Sequence, residues 1–266
     1  MYNREVRFKE DPYMFSFFSK ERKEAARKLR EAYENHGFYS DEYIEAFIAS
    51  KKRLTSDDHF TLCDIYTELQ RFDEAQKELL SCKSGTFLDD ITTGQIALCK
   101  IALAMGTGDY NEAIEAYEDR SRFLDIHFKN PARSRAAGDY YMYAATINAI
   151  LQRKVGYGEA YDIYKEEIKK YYARLREWCD VFPGHRIQFD LTQTMVQFAK
   201  GEMKEAEKAY DECKSNILNH DFKYEWEREY FLNRLDRAHI LSETDEPFDP
   251  YPDLRDIIEK KSEADL

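Results

Sequence analysis

One short phrase recurs four times along this chain and limits what it can fold into more than any other feature. A large apolar or aromatic residue is followed by a small or polar residue, a glutamate and an alanine. It reads Phe72-Asp73-Glu74-Ala75, Tyr110-Asn111-Glu112-Ala113, Tyr157-Gly158-Glu159-Ala160 and Met203-Lys204-Glu205-Ala206. The alanines are 38, 47 and 46 residues apart. A polar or glycine-containing turn precedes each phrase, at Leu69-Gln70-Arg71, Thr107-Gly108-Asp109, Lys154-Val155-Gly156 and Lys200-Gly201-Glu202. Apolar residues at helical spacing run up to each turn and away from it. A fixed phrase repeated at tens of residues between helical patterns is the mark of stacked helix-turn-helix units. Acids at the start of the second helix complement its dipole, and Asp or Asn caps its exposed N–H groups. The alanine lets two helices approach closely, and the aromatic before it is expected to plug the corner of the pair.

Few residues interrupt this pattern. Glycine and proline number 10 and 6 in 266 residues, which favours long helices. Hydrophobic residues make up 43%, enough for a packed core, so disorder throughout is excluded. The net charge of −12 is uneven, because residues 1–55 carry 12 basic and 10 acidic side chains. The acidic remainder argues against nucleic acid, whose binding draws on phosphate neutralisation, and against an anionic membrane surface. The first residues contain no apolar run of signal-peptide type, and no run reaches the length of a transmembrane helix. Five cysteines, without a CxxC, read as reduced thiols in a cytoplasmic protein.

The phrase and its surroundings resemble the tetratricopeptide repeat. The best match is residues 56–88, with Leu62, Cys63 and Tyr66 in a first helix and Phe72, Ala75, Leu79 and Cys82 in a second. Looser relatives occupy 92–130, 138–181 and 185–218, and a further pair at the N-terminal end carries Leu29, Tyr33, Gly37, Tyr39, Ala46 and Ala49. The helix near 158–181 is about twice the family's usual length, so an irregular superhelix is expected. The resemblance implies an all-α fold, a right-handed α-solenoid of about five antiparallel helix pairs with a C-terminal capping helix. Residues 1–19 form an N-terminal segment, 20–219 the repeat domain and 220–243 the capping helix, expected as one helix. Residues 244–266 form a tail holding Pro247, Pro250 and Pro252, with a short helix from Leu254 to Lys261.

The family binds peptides or extended partner segments on a concave face lined by first helices. Carried over by position, that face takes Phe60, Asp64 and Thr67 from the best repeat and Lys100 from the next. Met142, Thr146, Ala149 and Arg153 follow, then Gln188, Met195 and Phe198, with Arg27 and Glu31 at the N-terminal end. The Lys, Asn and Arg pattern with which some members clamp a chaperone C-terminus is absent. The expected function is a non-catalytic scaffold for a protein or peptide partner, with no cofactor and no metal. One alternative is a ligand-sensing regulator resembling the peptide-pheromone receptors of Gram-positive bacteria. Another is a helical enzyme whose interior hides acids such as Glu166 and Glu167.

Other motifs carry less. Asp89-Asp90 lacks the third acid that magnesium-binding aspartate motifs need and reads as a helix cap. The six histidines include no i, i+4 pair and no HExxH. Cys179 stands six residues before His185 and reads as a packed thiol at a helix end. Lys169-Lys170-Tyr171-Tyr172 and Lys51-Lys52-Arg53 read as solvated faces.

Overall fold

A computed structural model describes residues 20–82, 90–127, 137–182 and 185–243. The expectations for 1–19, for Asp89 and for the tail 244–266 lie outside the described residues. Among those described, the chain is all-helical. In order the helices are α1 (Lys20–His36), α2 (Asp41–Ala49), α3 (Ser56–Glu68), α4 (Phe72–Ser81), α5 (Asp90–Thr107) and α6 (Tyr110–His127). Then come α7 (Ala137–Val155), α8 (Glu159–Val181), α9 (Arg186–Lys200), α10 (Met203–Asn219) and α11 (Glu225–Arg237), closed by a 3-10 segment, Ala238–Glu243. None of the described helices is long and apolar enough to cross a membrane.

Each odd helix from α1 to α9 packs on the even helix that follows it, and α3, α5, α7 and α9 pack in sequence on one another. The repeated phrase explains the local geometry. Gln70, Gly108, Gly156 and Gly201 end α3, α5, α7 and α9 with positive φ values of 59°, 78°, 71° and 74°. After α3 and α9 the turn closes as a Schellman motif: Arg71 N donates to Tyr66 O at 2.8 Å, and Glu202 N to Gln197 O at 3.1 Å. Asp109 caps α6, its carboxylate accepting from Glu112 N at 3.0 Å. The alanines of the phrase are buried, at 0% exposure for Ala75, Ala113 and Ala206 and 5% for Ala160.

The aromatic corner holds in only half the phrases. Phe72 packs against Gly106, where a Cβ would come within 2.9 Å of the ring, and Tyr110 is half-buried. Tyr157 is 96% exposed and Met203 42%. Tyr157 sits between Gly156 and Gly158, both at positive φ, and its ring lies outside the core, tilted against that of Tyr161 with centres 5.5 Å apart. The Lys169–Tyr172 run is also not simply a solvated face. Lys169 and Lys170 pair with Glu166 and Glu167, but Tyr171 is 2% exposed and its hydroxyl meets that of Tyr117 at 3.0 Å.

Two hydrophobic clusters divide the molecule. One gathers residues of α1–α4 around Phe38, Tyr43, Phe47 and Leu62, with Leu103 of α5. The other centres on α7, which is buried from Ala137 to Gln152 apart from the half-buried Asp139. Gly138 admits the ring of Trp178, which a Cβ would approach to 2.7 Å. The 23-residue α8 is the long helix that the sequence predicts.

Residues 220–243 are not one helix. Positions 220–224 are non-helical, and Glu227 turns back to accept from Tyr224 N at 3.2 Å, which starts α11. The α11 helix packs on α9 and α10. It also spans the molecule: the Trp226 ring lies on Gly37 and the Tyr33 ring, and Arg237 reaches Glu68 of α3.

Candidate functional site

Helical spacing builds a polar centre between α3, α7 and α11. Asp64 and Glu68 stand one turn apart on α3, as do Asp139 and Tyr143 on α7. Across from them α11 presents Tyr230, Arg234 and Arg237. The Arg234 side chain is 7% exposed. Its Nη1 donates to the Tyr230 hydroxyl at 2.7 Å and lies 3.7 Å from Asp139 Oδ1, and its Nε lies 3.8 Å from Glu68 Oε1. Arg237 Nη2 donates to Glu68 Oε2 at 2.7 Å. Tyr39, just before α2, stacks on Tyr230 with ring centres 4.5 Å apart and an interplanar angle of 6°.

Burial raises the Glu68 carboxyl, but Arg234 and Arg237 outweigh it and hold the group below the usual carboxylate range. Asp64 goes the other way: burial, then Glu68 and Asp139 beside it, push its carboxyl well above the ordinary value. Among the described residues no hydrogen-bonding partner faces Asp64. Among the described residues three carboxyl groups, one of them raised by burial, meet two guanidinium groups. The Tyr39 hydroxyl is held protonated by burial, then by the charges of Tyr230, Asp64, Glu68 and Asp139.

Two openings adjoin this centre. One, about 20 Å³, lies among Tyr39, Asp64, Cys99, Asp139, Tyr143 and Tyr230, with room for a single water molecule. The other is a cleft of about 140 Å³. Phe72, Met105, Tyr110, Met195, Ile240 and Leu241 give it apolar walls, and Glu68, Arg234 and Arg237 line it as well.

Some of the residues expected on a groove converge here. Asp64 borders the small cavity, and Thr67 and Met195 line the cleft. Gln188 Nε2 donates to Asp139 Oδ1 at 3.1 Å and to Met142 Sδ at 3.2 Å, joining α9 to α7. Arg153 Nη1 donates to Ser242 O at 3.1 Å and so ties α7 to the 3-10 segment.

The others lie elsewhere. Phe60, Thr146, Ala149 and Phe198 are no more than 5% exposed and are packed between helices, Phe198 against the His239 ring at 4.5 Å. As placed, they present no surface to a partner. Lys100 is exposed. Arg27 and Glu31 pair with each other on the outer side of α1, with Glu24 as a second partner. Glu166 and Glu167 are not interior acids, since both pair with lysines on the surface of α8. The acids of the polar centre are Asp64, Glu68 and Asp139, and elsewhere Asp58 and Glu227 are each 5% exposed. Cys179 donates to the backbone carbonyl of His185 at 3.5 Å rather than to its ring, and burial pushes its thiol up to about 11.

Sequence reasoning misses Tyr39, Glu68, Asp139, Tyr143, Tyr230, Arg234 and Arg237 as site residues. The available signal is the i, i+4 step from Tyr230 to Arg234, which sets the arginine in line with the apolar stripe. Among the described residues, no group of three or more His, Cys, Asp or Glu side chains is arranged to hold a metal ion. Comparison with family models, curated proteins and solved structures finds no match for this chain.

Proposed function

We propose that this chain is a non-catalytic binding scaffold, a tetratricopeptide-like right-handed solenoid of five antiparallel helix pairs whose inner helices α3, α5, α7 and α9 hold a segment of a protein or peptide partner. One observation carries the reading. Those helices already hold a helix, because α11 lies against α9 and anchors Arg234 and Arg237 on acids of α3 and α7. The surface that takes α11 combines aromatic contact with a few fixed polar anchors, as peptide-binding grooves do. The cleft beside the 3-10 segment is the part left open. Its methionines, Met105 and Met195, suit a groove that adapts to different apolar anchors.

Panning a random-peptide display library against the wild type and against Met195→Glu tests this. Peptides enriched on the wild type are expected to lose about tenfold in affinity for the variant. If no peptide is enriched, or if enriched peptides ignore Met195→Glu, the reading falls.

A further inference from the structure

We propose that Glu68, Asp139, Tyr39 and Tyr143 form a receptor for guanidinium groups, and that the partner it fits is an amphipathic helix with two arginines at i, i+3 and an aromatic residue one turn before the first. The proposal deepens the scaffold reading and rests on it. Its pattern is the one that α11 presents from within the chain as Tyr230, Arg234 and Arg237.

Three observations support a receptor rather than a chance cluster of acids. First, a guanidinium is seated in it: Arg234, 7% exposed, stands within 4 Å of both Glu68 and Asp139. A planar fork reaches two carboxylates together, which a lysine ammonium does not. Second, among the described residues the wall offers more carboxyl groups than its occupant has guanidinium groups: Asp64, raised by burial, stands with Glu68 and Asp139, while α11 brings two arginines. Third, Gln188, bonded to Asp139, carries a buried acceptor that is unused. Gln188 is 1% exposed, its Nε2 is spent on Asp139, and its Oε1 has no partner among the described residues. The net charge of −12 draws a basic segment toward the molecule.

The inner helix and a partner helix cannot occupy the wall together. The other face of α11 is anchored by Phe231 and Leu235, 1% and 0% exposed. Admission of a partner therefore requires α11 to leave α3 and α7. Partner affinity is then reduced by the fraction of molecules that stay closed. Weakening the internal contact must strengthen the external one, and this makes the proposal testable.

The probe is a fluorescein-labelled synthetic peptide with the sequence of residues 222–243, titrated by anisotropy into the full chain. The Arg234→Ala/Arg237→Ala chain is expected to bind it about tenfold more tightly than the wild type does. Replacing both arginines of the peptide with lysine should cost about tenfold, and Glu68→Gln/Asp139→Asn in the chain should abolish the gain. If circular dichroism shows the alanine chain unfolded, Arg234→Lys/Arg237→Lys takes its place with the same expected order. Equal binding by wild-type and weakened chains, or by arginine and lysine peptides, overturns the receptor. Peptides without arginine that depend on Met195 would leave the scaffold reading standing while the receptor falls.

Discussion

Arg237 of α11 and Glu68 of α3 are 169 residues apart in sequence, yet their side chains meet at 2.7 Å. This contact, with Arg234 beside it, joins the last helix to the first hydrophobic cluster. The Glu68 side chain is 10% exposed. Removing its charge leaves two arginines without their shared partner, and stranding a buried charge costs more than the pair itself contributes. Glu68→Gln is expected to lower stability by about 3 kcal/mol at neutral pH, read from the urea midpoint. A midpoint equal to that of the wild type would mean that α11 is not held by this contact.

The acids of the centre give stability a defined dependence on pH. Glu68 is held below its ordinary value of 4.5 by Arg234 and Arg237 against the effect of burial. Its contribution is therefore complete above about pH 4.5 and is lost as pH falls through the depressed folded value. Asp64 has the opposite sign, because burial and then the neighbouring Glu68 and Asp139 raise it well above 3.8. Its contribution is complete below 3.8 and is lost as pH rises toward its folded value. Asp64→Asn should then stabilise the chain at pH 7 by about 1–2 kcal/mol and have no such effect below about pH 4. Thermal melts at the two pH values check this, and destabilisation at pH 7 would mean that the carboxylate has a counter-charge.

Much of the fold is legible in the sequence, since it repeats one local solution. Ala75, Ala113, Ala160 and Ala206 are buried, and the turns before them hold the positive-φ residues. Those are short-range facts, written within a few residues of each phrase. The polar centre is not local. Glu68 and Asp139 look like ordinary helix-surface acids, and Arg234 and Arg237 like the charged side of a cap. Only tertiary packing turns them inward. Some expected groove positions are buried for a related reason: Thr146 and Ala149 lie on α7, which is buried along most of its length, so a first-helix position there is core rather than surface.

Ala113 tests the repeat itself. It is 0% exposed at the start of α6, which packs on α5. A leucine there has no space to fill and must push the pair apart, at a cost of about 1–3 kcal/mol. Ala113→Leu should lower the melting temperature accordingly, and a melt unchanged from the wild type would show that the phrase does not mark a helix crossing.

Gly37 tests whether α11 and the first helix pair act together. Its φ is +87°, a conformation that L side chains rarely adopt, and a Cβ there would lie 2.5–2.8 Å from the ring of Trp226. The two penalties add, because an alanine both strains the turn after α1 and displaces the tryptophan at the head of α11. Gly37→Ala is expected to cost about 2 kcal/mol or more and to move Trp226 into water. The chain has only two tryptophans, and Trp178 is packed on Gly138 in the other cluster. The emission of the variant should therefore shift to the red in the folded state, and a Trp178→Phe background assigns that shift to Trp226. If Gly37→Ala leaves both emission and midpoint unchanged, α11 does not rest on the first pair, and the link through Arg237 and Glu68 stands alone.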